Sequence, residues 1–139
     1  MIPTPSQTVG PFFGFALPQV EGEGDVRVEG QLLDGAGEPV PDGLLEVGGD
    51  GQFARCRTDE EGAFHFAVRK TSPFLTVTVF ARGLLRHLST RMYFPGQERD
   101  VPASVEAGRR HTLVARQDGG GVLRFDVRLQ GPEETVFFV

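Results

Sequence analysis

The sequence predicts an all-β protein, a two-sheet β-sandwich of about eight short strands entered through an extended N-terminal arm. Three observations carry that prediction. Glycine and proline are plentiful, at 19 and 10 of 139 residues, and are spread along the chain as punctuation between short elements. Several runs alternate apolar and polar residues with period two, the pattern of half-buried strands. No stretch carries an amphipathic helical period over a convincing length, and turn signals recur at the spacing of a sandwich. A chain of this length suits one domain and can bury a core without disulfides or a structural metal. Residues 1–24 form the arm and 25–139 the sandwich.

The arm shows no clean period. Its early prolines and glycines, with Phe12, Phe13 and Phe15, suggest an extended segment that needs an aromatic-accepting surface to lie on. Alternation begins at 26–32, where Val26, Val28 and Leu32 face one way, and Asp34 to Gly37 then supply turn residues. A second strand over 44–47 runs into Gly48-Gly49-Asp50-Gly51, the strongest turn signal of the chain, and 52–57 follows as a short strand. Residues 58–62 read as a turn and 63–68 alternate again, so 52–68 is expected to be a hairpin. The run 74–80 is rich in Val, Thr and Phe, residues enriched in strands. Residues 84–94 fit either a strand or a short helix, ended by Pro95-Gly96. The last strands are expected at 111–117, 123–130 and 135–139.

Composition excludes several functions. Acidic residues outnumber basic ones, 19 to 14, for a net charge of −5, which disfavours a nucleic-acid partner because phosphate binding needs clustered Lys and Arg. The N-terminus has no basic region before its apolar residues and is broken by prolines, so it reads neither as a signal peptide nor as a membrane span. One cysteine, Cys56, rules out an intrachain disulfide and suits the cytoplasm.

The residues able to carry chemistry are few. His65, His87 and His111 lie about two dozen residues apart, and no pair has a metal-ligand spacing. His65 reads as a surface or packing residue on the polar side of its strand. His111, after Arg109-Arg110, reads as part of a solvated basic corner, and the role of His87 is left open. Cys56, in a strand without a partner motif, reads as a small hydrophobe. Gly119-Gly120-Gly121 is not followed by Lys-Ser/Thr and makes no phosphate loop. Arg82, directly after a very apolar strand, sits where a sandwich end meets its surroundings. The bare sequence leaves it between a surface charge and a contact residue.

Three segments in order resemble the alpha chains of the protocatechuate 3,4-dioxygenase group of intradiol ring-cleaving enzymes: Thr4 to Phe13; Phe80 to Leu85 with His87 to Phe94; and Arg124 to Gly131 followed by Glu134 to Phe138. Weaker echoes lie at Val28-Glu29-Gly30, at Leu32 with Asp34-Gly35, and at Thr58 to Gly62. The resemblance implies a shared β-sandwich, an oligomer of alpha–beta pairs, and ferric iron held only in the beta chain by two tyrosines and two histidines. At the positions similar to those ligands this chain has Phe53, Phe74 and Thr76. The stretch for the second tyrosine is abbreviated, and Thr71 stands where the catalytic chain has an arginine. A single tyrosine, Tyr93, makes the same point. The resemblance further implies that Thr8, Gly10, Pro11 and Arg82 line the substrate pocket of the catalytic partner. Backbone at Pro and Gly can approach an aromatic ring closely, and arginine suits an aromatic carboxylate. The chain departs from the family after Val47 and between Lys70 and Phe74, where it is shorter. The alternative is a stand-alone transthyretin-like binding or structural module with no catalytic partner, which a neighbouring gene for a longer, iron-ligating homologue would decide against.

Overall fold

A computed structural model describes residues 20–131 and 133–138, so the arm expected through residue 19 lies outside it. Among the described residues nine strands form two sheets: β1 (Val26–Leu33), β2 (Leu44–Gly49), β3 (Gln52–Arg57), β4 (Ala63–Val68), β5 (Phe74–Phe80), β6 (Leu88–Tyr93), β7 (Arg116–Gln117), β8 (Val122–Arg124) and β9 (Val127–Arg128). The first sheet has the order β4-β1-β8-β7 with β9 also on β1, and the second has the order β3-β2-β5-β6. The all-β sandwich is therefore as expected. The inward positions of each strand alternate as the sequence predicts: Val28 and Leu32 on β1, Phe64, Phe66 and Val68 on β4, and Leu75, Val77 and Val79 on β5 are all buried. A second, smaller cluster around Tyr93, Val101 and Leu113 lies beside this core.

The β2–β3 hairpin closes on two residues. Gly49 pairs with Gln52, and Asp50 and Gly51 take φ of 51° and 79°, the paired positive values of a type I′ turn. The other turns also follow from side chains. Asp34 Oδ1 accepts from the backbone N–H of Ala36 and Glu38, and Asp59 Oδ1 from that of Glu61 and Ala63.

Three expectations are corrected. First, 52–68 is not a hairpin, because β3 pairs with β2 and β4 with β1, so 58–62 crosses between sheets. The two strands alternate in the same phase and press their apolar sides together across the core, Cys56 from one and Phe64 and Phe66 from the other. Period two places residues on a face; it does not choose the strand's neighbour. Second, 111–117 begins as helix. A 3₁₀ segment covers Ala107–Leu113, and the predicted solvated corner is a clamp: Arg110 donates to the carbonyls of Val101 and Pro102 at 2.7 and 2.8 Å, and Arg109 to that of Glu134 at 2.7 Å. His111 Nε2 lies 2.7 Å from Glu133 Oε1. Third, 123–130 is two short strands. Between them Gln31 N–H bonds to the Asp126 side chain at 2.9 Å, replacing a rung of the ladder. Of the segment left open, Leu88–Tyr93 is strand, after a turn and bends over 82–86.

Both open sides of the sandwich are crossed by segments from outside the sheets. Val20 exchanges hydrogen bonds with Arg55 of β3 at 2.9 and 2.7 Å, and Glu21 O accepts from Ala67 of β4 at 2.9 Å. On the far side Thr135 Oγ1 accepts from Arg128 N–H of β9 at 2.8 Å, Thr90 of β6 donates to Val136 O, and Phe138 N–H bonds to Ser89 O at 2.7 Å. The described end of the arm, residues 20–24, thus packs on its own sandwich.

Candidate functional site: a ligand-poor sheet face and an exposed arginine turn

Register places Phe53, Phe74 and Thr76, the residues expected at ligand-like positions, on one outer face of the second sheet. Phe53 of β3 is opposite Gly48, Gly48 is opposite Thr76, and Thr76 is opposite Arg91, while Phe74 is opposite Tyr93. These positions converge, but the side chains there do not fit a metal. Phe53 is 45% exposed with the Arg55 guanidinium 5.1 Å from its ring centroid, and Thr76 faces solvent. Phe74 packs at 4.9 Å on Tyr93 and, with Phe138, sandwiches the Arg91 guanidinium at 4.7 and 4.4 Å. Tyr93, the chain's one tyrosine, is fully buried, and Arg91 donates to its hydroxyl at 3.0 Å. A cation stacked between two rings is favourable there, and the oxygen this face presents to solvent is the neutral hydroxyl of Thr76, a poor metal ligand beside a guanidinium. Among the described residues no group of three or more His, Cys, Asp or Glu is placed to hold a metal. Thr71 is exposed just before β5.

Arg82 occupies the other end of β5. The chain leaves the sheet at Phe80 and turns through Arg82 and Gly83, whose φ of 87° suits glycine. Leu84 N–H then bonds back to Ala81 O at 3.2 Å. The ring of His87 lies 5.5 Å from that of Phe80 and folds the loop back, leaving Arg82, Leu85 and Arg86 exposed, Leu85 completely so. The Arg82 side chain has no hydrogen bond or ion pair among the described residues. At about 3.3 Å per strand residue, β5 alone carries the chain roughly 20 Å from Phe74 before it turns through Arg82. Arg82 therefore cannot serve a pocket on the Phe53, Phe74 and Thr76 face of its own chain. Thr8, Gly10 and Pro11 lie outside the described residues.

Cys56 is a buried core residue, as expected. Burial pushes its thiol up from the ordinary range, while the backbone N–H of His65, 3.5 Å from the sulfur, pulls it partly back. His65 is part-exposed, 3.4 Å from Glu21. Sequence reasoning missed the Arg91 stack and a polar recess of about 170 Å³ between the Ala107–Leu113 segment and β7–β9. The signal for the recess was present in the alternation Arg124, Asp126, Arg128, which puts three charged side chains on one strand face.

Over nearly its whole length the chain is similar to two curated proteins. It is 36% identical to the protocatechuate 3,4-dioxygenase alpha chain of Burkholderia cepacia, over 97% of this chain and 96% of that one. The chain belongs to this alpha-chain family. The alpha chain of Pseudomonas putida is 30% identical, over 97% and 95%. Solved structures of similar fold include the dioxygenase domain of a dioxygenase carbohydrate-binding protein fusion from Streptomyces sp. SirexAA-E, at TM-score 0.56, 22% identity and 82% coverage of both chains. Catechol 1,2-dioxygenase from Pseudomonas arvilla C-1 follows at TM-score 0.55 and 20% identity, over 82% of this chain and 53% of that one. No family model matches. The alignment with the B. cepacia alpha chain spans 190 positions against 139 residues here, so the relative holds segments that this family member lacks. That fits the two-residue turn after β2 and the short crossing from β4 to β5.

Proposed function

We propose that the chain is the non-catalytic alpha subunit of a cytoplasmic ferric intradiol dioxygenase, built of alpha–beta pairs, that cleaves the ring of protocatechuate (3,4-dihydroxybenzoate) with O2. The observation that carries this reading is the similarity of almost the entire chain to two proteins named as alpha chains of that enzyme. The stand-alone alternative is not favoured by those relatives. In this reading the beta chain holds Fe(III), which supplies activation of the catechol carboxylate. The alpha chain supplies shape and charge: Thr8, Gly10 and Pro11 bring backbone against the ring, and Arg82 offers its fork of N–H donors to the carboxylate. The exposed guanidinium of Arg82, without a hydrogen bond or ion pair among the described residues and remote from the Phe53, Phe74 and Thr76 face, supports a role toward another chain's pocket.

The test is co-expression with a catalytic beta chain. The complex is expected to hold iron and to consume O2 with protocatechuate, whereas this chain alone does neither and stays colourless with ferric salt. Arg82→Ala is expected to leave iron content and assembly intact and to lower kcat/KM about tenfold to a hundredfold, the loss of one charge-assisted contact worth roughly 1.5–3 kcal/mol. A kcat/KM within twofold of wild type at full iron occupancy would return Arg82 to an ordinary surface charge.

A further inference from the structure

We infer that the recess bounded by the Ala107–Leu113 segment, β7–β9 and residues 133–135 binds a small oxyanion, a carboxylate or phosphate, through Arg128 and Arg116. The inference is independent of the proposed function. In a chain of net charge −5, three arginines line this one recess, Arg116, Arg124 and Arg128. Arg116 and Arg124 are directly opposite across the β7–β8 pair, a like-charge arrangement that is unfavourable without a shared anion. The anion between them is Asp126: its Oδ1 accepts from the Gln31 backbone at 2.9 Å and from Arg124 at 2.8 Å, and its Oδ2 lies 3.8 Å from Arg116, an ion pair beyond hydrogen-bond reach. The second carboxylate of the recess, Glu133, is held by His111 at 2.7 Å. Arg128 is half-buried, and its guanidinium has neither a hydrogen bond nor an ion pair among the described residues.

A half-buried arginine with unused N–H donors, beside a second arginine short of its carboxylate, matches the two-oxygen edge of a carboxylate or phosphate. A volume of about 170 Å³ limits the ligand to a small molecule, below the roughly 300–1,000 Å³ of pockets that take drug-sized ligands. Succinate and inorganic phosphate are therefore the probes.

Calorimetric titration of the full chain at fixed ionic strength is expected to show saturable, one-to-one binding of either probe. Arg128→Gln should weaken it about tenfold to a hundredfold, as for loss of a charge-assisted contact. Arg116→Gln, on an exposed strand position where folding is not at risk, should weaken it several-fold. Arg99→Gln removes the same charge from an exposed turn elsewhere and should leave binding unchanged. The inference is overturned if neither probe saturates, or if the three variants titrate alike, since both results reduce the effect to general screening.

Discussion

At the scale of single residues, the polar groups that the core admits each hold a loop in place. Thr58 is buried and accepts from Gly43 N–H at 2.8 Å while donating to Val40 O at 2.7 Å, fixing the 39–43 connection against the start of the inter-sheet crossing. Thr58→Val keeps the shape and removes both bonds, so two buried backbone groups lose their partner and stability should fall by about 1–3 kcal/mol. Urea unfolding would read this as a lower midpoint at unchanged slope. Cys56 gives a pH dependence of definite sign. Burial raises its thiol pKa in the folded chain, so the folded state holds the proton more tightly than the unfolded one. The stability this contributes is complete below the unfolded thiol value of about 8.5 and is lost as pH rises through the folded value. Wild type should therefore lose more stability than Cys56→Ala between pH 8 and 10. Parallel losses in the two proteins would show that other groups set the alkaline limb.

At the scale of elements, the meeting of β1 with the β8–β9 pair decides how the first sheet is built. Phe125 N–H bonds to Glu29 O at 2.9 Å, and the close approach leaves Phe125 O only 1.8 Å from where a Cβ on Gly30 would sit. Gly30→Ala therefore collides with backbone rather than with a side chain that could move. It should cost at least about 2–3 kcal/mol, the upper end of overpacking effects, and thermal unfolding of the variant would measure it. This junction also shows where sequence reading stops. The faces of β1, β4 and β5 were legible because side-chain direction has period two, and the β2–β3 turn was legible because Asp-Gly accepts positive φ at both positions. What the period does not encode is the partner of a strand, so β3 and β4 looked like a hairpin although they lie in opposite sheets. Helix in 107–113 was equally hidden, because the arginine clamp that holds it reaches carbonyls of Val101 and Pro102 set by the tertiary fold. At the candidate site, the resemblance singles out Phe53, Phe74 and Thr76, and strand register puts them on one face. The filling of that face by Arg91 and Phe138 was not legible, since Phe138 comes from 47 positions further along the chain.

At the scale of the molecule, an open sandwich has sheet edges that invite pairing with other chains unless something covers them. Here two segments outside the sheets do so, residues 20–21 spanning β3 and β4, and residues 135–138 spanning β9 and β6. The C-terminal staple combines five hydrogen bonds from Thr135, Val136 and Phe138 with burial of Thr135, part-burial of Val136, Phe137 and Phe138, and the stack of Phe138 on Arg91. Fully burying one large apolar side chain contributes roughly 1.5–3 kcal/mol, so three half-buried ones together contribute about 3–4 kcal/mol, in addition to the bonds. Removing residues 134–139 should therefore lower stability by about 3–5 kcal/mol. It should also free the β6 edge and leave Arg91 stacked on Phe74 alone. Two readouts separate this from a generic truncation effect. The urea midpoint should fall, and light scattering should report self-association through the uncovered β6 edge, which a charged substitution at that edge, Ser89→Lys, should suppress without restoring the midpoint. A truncated chain that stays monomeric with an unshifted midpoint would mean that the second sheet holds its edge without the C-terminal segment.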